Sequence, residues 1–165
     1  MKNKFDFCEK IKECEHAMYA LAYSVVRNEH DAGEVLSESI YRAYRSLDTL
    51  KDEKAFRSWM LKIVHNTAVE FVRKSSHTVE VWDIDESYLV EDCHAEQVAL
   101  KMTLKAAVGR LKQPYRTVVV LFYYENLSIA EIGKITGQSV MAVKQQLSRA
   151  RKMLKEDLKE DFKDE

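Results

Sequence analysis

The stretch from Leu127 to Lys152, LSIAEIGKITGQSVMAVKQQLSRARK, leaves a folding chain few choices. Ser128 followed three residues later by Glu131 is a capping box, the start signal of a helix. Ile129, Ile132 and Ile135 give that helix an apolar face at helical spacing. Gly137 stands where it must stop, because glycine enters the left-handed conformation without steric cost. Ser139 is placed to cap the next helix. Gly133 has no side chain, which is expected to let the two helices cross closely. Two short helices across a tight turn form a helix-turn-helix, whose second helix lies in the major groove of DNA. Lys144, Arg149, Arg151 and Lys152 on that second helix supply cations for phosphates.

The remainder of the chain should also be helical. With 4 Gly and 1 Pro in 165 residues, few turns are available. Charged residues at 32% and hydrophobic residues at 46% suit a soluble globular protein. No run approaches the roughly 18 apolar residues of a membrane span. The N-terminal MKNKFDFCEK does not read as a signal peptide, and a cytoplasmic location is expected. The 3 Cys are an odd number without zinc-ligand clustering, so they are expected to be reduced thiols. Cys14 falls on an apolar stripe and is expected in the core.

A net charge of −1 is unusual for a chain that meets DNA, but the charge is unevenly spread. From Ser75 to Leu100 there is no Lys or Arg, whereas Glu80, Asp83, Asp85, Glu86, Glu91, Asp92 and Glu96 are acidic. The tail from Glu156 to Glu165 is acidic on balance. The positive charge lies in the flanking segments, and the local field decides nucleic-acid affinity.

The first block holds three helical patterns. Ile11, Cys14, Met18, Leu21 and Val25 step by three and four. A second helix is expected to start with Asp31 as N-cap and Glu34 as its box partner, burying Val35, Leu36, Ile40, Ala43, Tyr44 and Leu47. A third is expected from about Glu53 to Lys74, with Phe56, Met60, Ile63, Thr67 and Phe71 on one side. Beyond it, TVEVWDID alternates weakly, a pattern open to a short strand but favouring an irregular segment between helical neighbours. The second block begins near Ala95, with Val98, Met102, Leu104, Ala107, Val108 and Leu111 on a helix broken at Gln113-Pro114. Pro114 suits the first turn of the next helix. The run YRTVVVLFYYE has strand propensity, yet no strand of comparable strength is present to pair with it, so it is read as helix. The predicted fold is all-α: two small helical domains, residues 1–75 and 97–165 with the acidic tail, joined by an acidic linker, 76–96.

ALAYSVVRNEHDAGEVLSESIYRAY and AFRSWMLKIVHNTAVEFVRK in the first block, with LKQPYRTVVVLFYYENLSIAEIGKITGQSVMAVKQQLSRARKML in the second, resemble bacterial RNA polymerase sigma factors of the extracytoplasmic-function group. These retain only sigma domains 2 and 4. The order, length and separation of the blocks carry the resemblance.

The resemblance implies roles for particular residues. Where the family typically reads DAEDLVQETF and docks on the polymerase clamp, this chain reads DAGEVLSESI. That makes Asp31, Glu34 and Glu38 the implied polymerase contacts, with Glu34 in place of aspartate and Ser37 in place of glutamine. The segment from Phe56 to Leu61, the family's FRSWL, implies contact with a melted −10 element through Arg57, Ser58, Lys62, Asn66, Arg73 and Lys74. Trp59 is either a stacking platform for an extruded base or part of the core. The implied −35 contacts are Ser139, Met141, Ala142, Lys144, Gln145, Gln146, Ser148, Arg149, Arg151 and Lys152. The family's VKSRLHRAR appears as VKQQLSRAR, so Gln146 stands where an arginine is usual. Glutamine pairs bidentately with adenine, whereas arginine favours guanine.

No catalytic constellation, metal-ligand set or phosphate loop is legible, so no catalytic residue, cofactor or small-molecule substrate is expected. Expected partners are core RNA polymerase, promoter DNA and, by resemblance, an anti-sigma factor. A stand-alone helix-turn-helix regulator and a non-DNA-binding adaptor are the alternatives. The first would bind bare duplex; neither would melt a promoter with core polymerase.

Overall fold

The computed structural model describes residues 4–75, 95–161 and 163. The described residues form seven α-helices: α1 (Lys4–Val26), α2 (Glu29–Arg45), α3 (Phe56–Lys74), α4 (Ala95–Arg110), α5 (Tyr115–Val119), α6 (Ile129–Thr136) and α7 (Val140–Asp161). Among the described residues there is no strand. The weakly alternating TVEVWDID lies outside them.

Helices α1, α2 and α3 pack on one another. Cys14, Met18 and Leu21 of α1 are buried, with Ile11 and Val25 at the edge of the same cluster. α1 ends at Arg27, which adopts the left-handed conformation (φ 64°) and donates its N–H to Tyr23. The start of α2 corrects the expectation from sequence. Its N-cap is Asn28, whose side-chain oxygen accepts the N–H of Asp31 at 2.8 Å while its amide donates to the Asp31 carboxylate at 2.6 Å. The helix therefore begins one turn earlier than Asp31, because asparagine in extended backbone already satisfies the first free N–H groups. Tyr44, expected on the buried face of α2, is 44% exposed, with its ring edge-on to that of Phe7 at 5.7 Å.

α3 begins at Phe56, after a 3-10 turn over Glu53–Ala55 that Asp52 caps. It buries more than the expected side. Phe56, Met60 and Thr67 are inside, as expected, but so are Leu61, Val64 and Ala68. The reason is tertiary: α3 packs against α1 and α2 and also against α6 of the second block.

The YRTVVVLFYYE run is helical throughout. α5 passes into one wide π-type turn over Val120–Tyr124, with Val118, Val119 and Leu121 buried. Packing has overridden β-propensity here. The Gln113-Pro114 bond is cis, and Pro114 is the N-cap position of α5. In α6 the capping box is complete: Glu131 N–H to Ser128 Oγ at 3.1 Å and Ser128 N–H to Glu131 at 2.8 Å. Gly137 has φ 71°, and the next N–H, that of Gln138, returns to the Gly133 carbonyl. A Cβ on Gly133 would lie 2.7 Å from the Gln138 carbonyl oxygen, so the turn closes only over glycine. Ser139 Oγ accepts the Ala142 N–H at 3.1 Å and starts α7.

The buried apolar residues form one continuous cluster through both blocks. Met18, Leu21, Met60, Leu61, Leu121, Ile132, Ile135 and Leu147 are among its fully buried members. Each such side chain contributes roughly 1.5–3 kcal/mol. An exposed ion pair contributes about 0.2–1 kcal/mol, so the apolar cluster, not the surface charges, holds the fold.

Candidate nucleic-acid interface

α7 divides into an inner and an outer face. Val143, Leu147 and Ala150 are buried and seat it on the core. On the outer face, at steps of three and four, stand Met141, Gln145, Ser148 and Lys152, with Lys144 and Arg149 on either flank; all are exposed. Met141 is 70% exposed, a large apolar side chain at the tip of the helix with no packing role. Such a side chain suits contact with the apolar parts of bases. Ala142 is half-buried.

Two of the candidate residues on α7 do not join that outer face. Gln146 sits at the margin of the inner face, and its side-chain oxygen is buried without a hydrogen-bond partner. Arg151 turns toward the π-type segment, where its Nε donates to the Tyr123 hydroxyl at 2.6 Å and its guanidinium lies 5.7 Å from the ring centre. Ser139 is exposed and committed to the cap.

On α3, Ser58, Lys62, Asn66 and Arg73 fall on one line along the helix, with exposed Val69 between. Lys62, Asn66 and Arg73 are exposed and Ser58 is half-buried. Trp59 is half-buried beside this line, its ring 5.7 Å from that of Phe56. Lys74 pairs with Glu70 at 2.7 Å. Arg57 points the other way, into the second block: its guanidinium donates to the Glu125 carbonyl at 3.3 Å and lies 3.7 Å from the Glu125 carboxylate.

The acidic residues of α2 are arranged differently from one another. Asp31 is half-buried and held by Asn28. Glu34 is exposed, 3.6 Å from His30, and Glu38 is exposed and bound by Arg42 at 2.7 Å. Arg42 also reaches Glu70 of α3 at 2.8 Å. Held by the guanidinium of Arg42 and the ammonium of Lys74, Glu70 has its carboxyl pulled down to about 2.

A group of residues with no local signal in the sequence brings the two blocks together. The Ser24 hydroxyl of α1 lies 3.0 Å from that of Thr117 in α5. The Ser24 carbonyl accepts from Gln113 Nε2 at 2.8 Å and from Arg116 Nε. Arg116 also donates to the Leu111 carbonyl at 2.7 Å. Arg27 donates to the Gly109 carbonyl. Glu125, with its side chain 6% exposed, lies 3.1 Å from His16 Nδ1. Its only sequence signal was a carboxylate closing an aromatic run. Burial and the neighbouring Arg27 charge push the Arg116 guanidinium down to about 10, still charged near neutrality.

Among the described residues no group of three His, Cys, Asp or Glu side chains is placed to hold a metal. Cys14 is buried, which raises its thiol above the ordinary range, and Cys8 is exposed.

Comparison with known proteins places both blocks. Residues 11–78 match the family model for Sigma-70 region 2, and residues 101–154 match that for Sigma-70, region 4. The chain is 34% identical over 153 residues to the RNA polymerase sigma factor SigV of Bacillus subtilis strain 168, covering 92% of this chain and 91% of that protein. It is 27% identical over 168 residues to the ECF RNA polymerase sigma factor SigW of the same strain, covering 93% and 89%. Two solved structures share its fold. The sigma factor RpoE of Bartonella quintana, in complex with the anti-sigma factor NepR, has a TM-score of 0.75 at 21% identity, covering 93% of this chain and 97% of that one. CnrH, in complex with the cytosolic domain of CnrY, has a TM-score of 0.71 at 24% identity, covering 97% and 92%. A helix-turn-helix with an exposed outer face, a second helix with an exposed polar line, and these matches agree: the chain belongs to the extracytoplasmic-function group of RNA polymerase sigma factors, which direct transcription initiation.

Proposed function

We propose a division of labour among the exposed faces of this sigma factor. The outer face of α7, with Met141, Gln145 and Ser148 toward base edges and Lys144, Arg149 and Lys152 toward phosphates, reads the −35 element as duplex. The line Ser58, Lys62, Asn66 and Arg73 on α3 holds the melted −10 strand. Glu34 and Glu38 on α2 meet core polymerase. One observation carries this reading: two polar lines, free of the core, stand on two different helices, as recognition of two separate elements requires. Phosphate contacts on each line would position the chain, and the glutamine and methionine side chains would supply sequence preference.

The chain itself is an initiation subunit and no enzyme. It works in the cytoplasm, where polymerase and promoters are. Among the described residues no helix is long and apolar enough to cross a membrane. An anti-sigma factor is the proposed regulator, supported by the fold relative RpoE, solved in complex with the anti-sigma factor NepR.

The test is run-off transcription with core polymerase on a promoter library. The expected outcome is initiation at a defined pair of elements. Lys62→Ala with Asn66→Ala should lower open-complex formation more than initial binding, and Gln145→Ala should shift preference within the −35 element. Initiation insensitive to both changes would refute the assignment.

A further inference from the structure

Helix α7 opens on two exposed apolar side chains, Val140 at 46% and Met141 at 70%. Neither is needed to start the helix. Ser139 Oγ caps it through the Ala142 N–H, and the Ser139 carbonyl accepts the Val143 N–H. The buried contacts of α7 come from Val143, Leu147 and Ala150 instead. Met141 heads the line that Gln145, Ser148 and Lys152 continue down the outer face. We propose that Met141 reads a base: it takes the 5-methyl group of a thymine in the major groove, so that the −35 element carries a T·A pair under the tip of α7.

The inference rests on the assignment of this face to the −35 element, and it names the base that one side chain there selects. The edges of the base pairs differ in chemistry. Thymine presents a methyl group in the major groove, whereas cytosine presents an amino donor, guanine two acceptors and adenine one of each. A thioether pressed on those polar groups would leave them without water and without a partner, which costs affinity. Pressed on a methyl group, it withdraws two apolar surfaces from water. Selectivity for thymine therefore has an attractive part and a repulsive part. Methionine suits the task because its unbranched, polarizable side chain adapts to a contact of irregular shape.

The charge around the tip shows what kind of surface the methionine meets. From Val140 to Lys155, α7 has no Asp or Glu, while Lys144, Arg149, Arg151, Lys152 and Lys155 are basic. An apolar side chain in a wholly cationic field fits a polyanion with apolar features in its groove, which duplex DNA is. Met141 also stands in the first turn, and the N-terminal end of a recognition helix is the end that reaches base edges. Spacing then locates the thymine. From Met141 to Gln145 is about 6 Å along the helix, at about 1.5 Å per residue. Successive base pairs are about 3.4 Å apart. The thymine thus lies one or two base pairs from the pair that Gln145 reads.

The test removes the methyl group and nothing else. Holoenzyme with the full-length chain is bound to a promoter selected by run-off transcription, in which each thymine of the −35 duplex is replaced singly by deoxyuridine. Competition against the unaltered promoter gives the affinities. One replacement should weaken binding about fourfold, the worth of a single methyl group withdrawn from water. It should fall within about two base pairs of the position at which Gln145→Ala shifts preference. Holoenzyme with Met141→Ala should bind the thymine and deoxyuridine promoters equally. Met141→Leu, which keeps an apolar tip, should retain most of the difference. Because Met141 is exposed, neither variant should disturb the fold, and circular dichroism checks this.

A −35 element with no sensitive thymine, or a sensitivity that survives Met141→Ala, overturns the proposal. Binding that is indifferent to scrambling the whole −35 element overturns the assignment of α7 itself, a separate failure that the scrambled promoter detects without any variant of Met141.

Discussion

Arg151 of α7 and Tyr123 of the π-type segment form a pair in which the guanidinium Nε donates to the phenol oxygen at 2.6 Å and the cation lies against the ring. The pair draws Arg151 away from the outer face on which Arg149 stands. The two arginines, only two positions apart, should therefore behave differently. Arg149→Ala should weaken promoter binding similarly across sequences and lower the salt slope by about one unit. Arg151→Ala should lower it by clearly less. Salt titration of holoenzyme on one promoter measures both slopes, and equal losses would place Arg151 on the DNA after all.

Gln145 and Gln146 should also part company. Gln145 is on the outer face, whereas the Gln146 oxygen is buried. Gln145→Ala should cost about 1–3 kcal/mol at a particular base pair of the −35 element. Gln146→Ala should leave base preference unaltered. Competition between matched promoter variants reads this out, and a preference that follows Gln146 would reverse the two roles.

Gly133→Ala tests the turn. The added Cβ would stand 2.7 Å from a backbone oxygen that cannot move without opening the turn. Destabilisation of about 1–3 kcal/mol is expected. Gly137→Ala meets no neighbour, but φ 71° disfavours alanine there, and a loss nearer 1 kcal/mol is expected. Urea denaturation of the two variants orders them. A harmless Gly133→Ala would show that the turn has slack.

Glu38→Lys should weaken binding to core polymerase while leaving the urea midpoint nearly unchanged. Its partner Arg42 keeps Glu70, so the exposed pair between Glu38 and Arg42 should be worth no more than about 0.5 kcal/mol. Fluorescence anisotropy with core polymerase supplies the affinity. Undiminished affinity would remove Glu38 from the interface.

The Glu70 carboxyl yields a prediction in pH. Its value falls from the usual 4.5 to about 2 in the folded chain, through Arg42 first and Lys74 second. A depressed carboxylate stabilises above its unfolded value, so the contribution is complete above about pH 5 and is lost as pH falls from 4.5 toward 2. Glu70→Gln should therefore be less stable than the parent near neutrality, and the gap should close over that window. A gap that stays constant from pH 7 to pH 2.5 would mean that Glu70 does not carry it.

Legibility in the sequence follows the range of the interactions. Helix starts and stops are written within a few residues, so Ser128 with Glu131, Gly137, Ser139 and the buried stripe of α1 could all be read from the chain. The error at α2 was of the same local kind. Asn28 and Asp31 are both good caps, and only the backbone conformation at Asn28 selects between them. The segment Tyr115–Tyr124 carried strand propensity, yet its helical outcome was legible from the want of a strand to pair with.

What the sequence by itself determined is therefore the set of helices and the helix-turn-helix. The tertiary structure decided which faces those helices present. Leu61, Val64 and Ala68 are buried because α3 has α6 as well as α1 and α2 for neighbours, which no spacing within α3 reveals. Arg57 and Arg151 are long and flexible, and their directions are set by Glu125 and Tyr123, 68 and 28 residues away. Ser24 and Thr117 meet across 93 residues. Local hydrogen bonds and helical periodicity are encoded by neighbours in the chain, whereas the partner of a side chain on a helix surface depends on how whole helices pack, and that is settled only when the apolar faces close on one another.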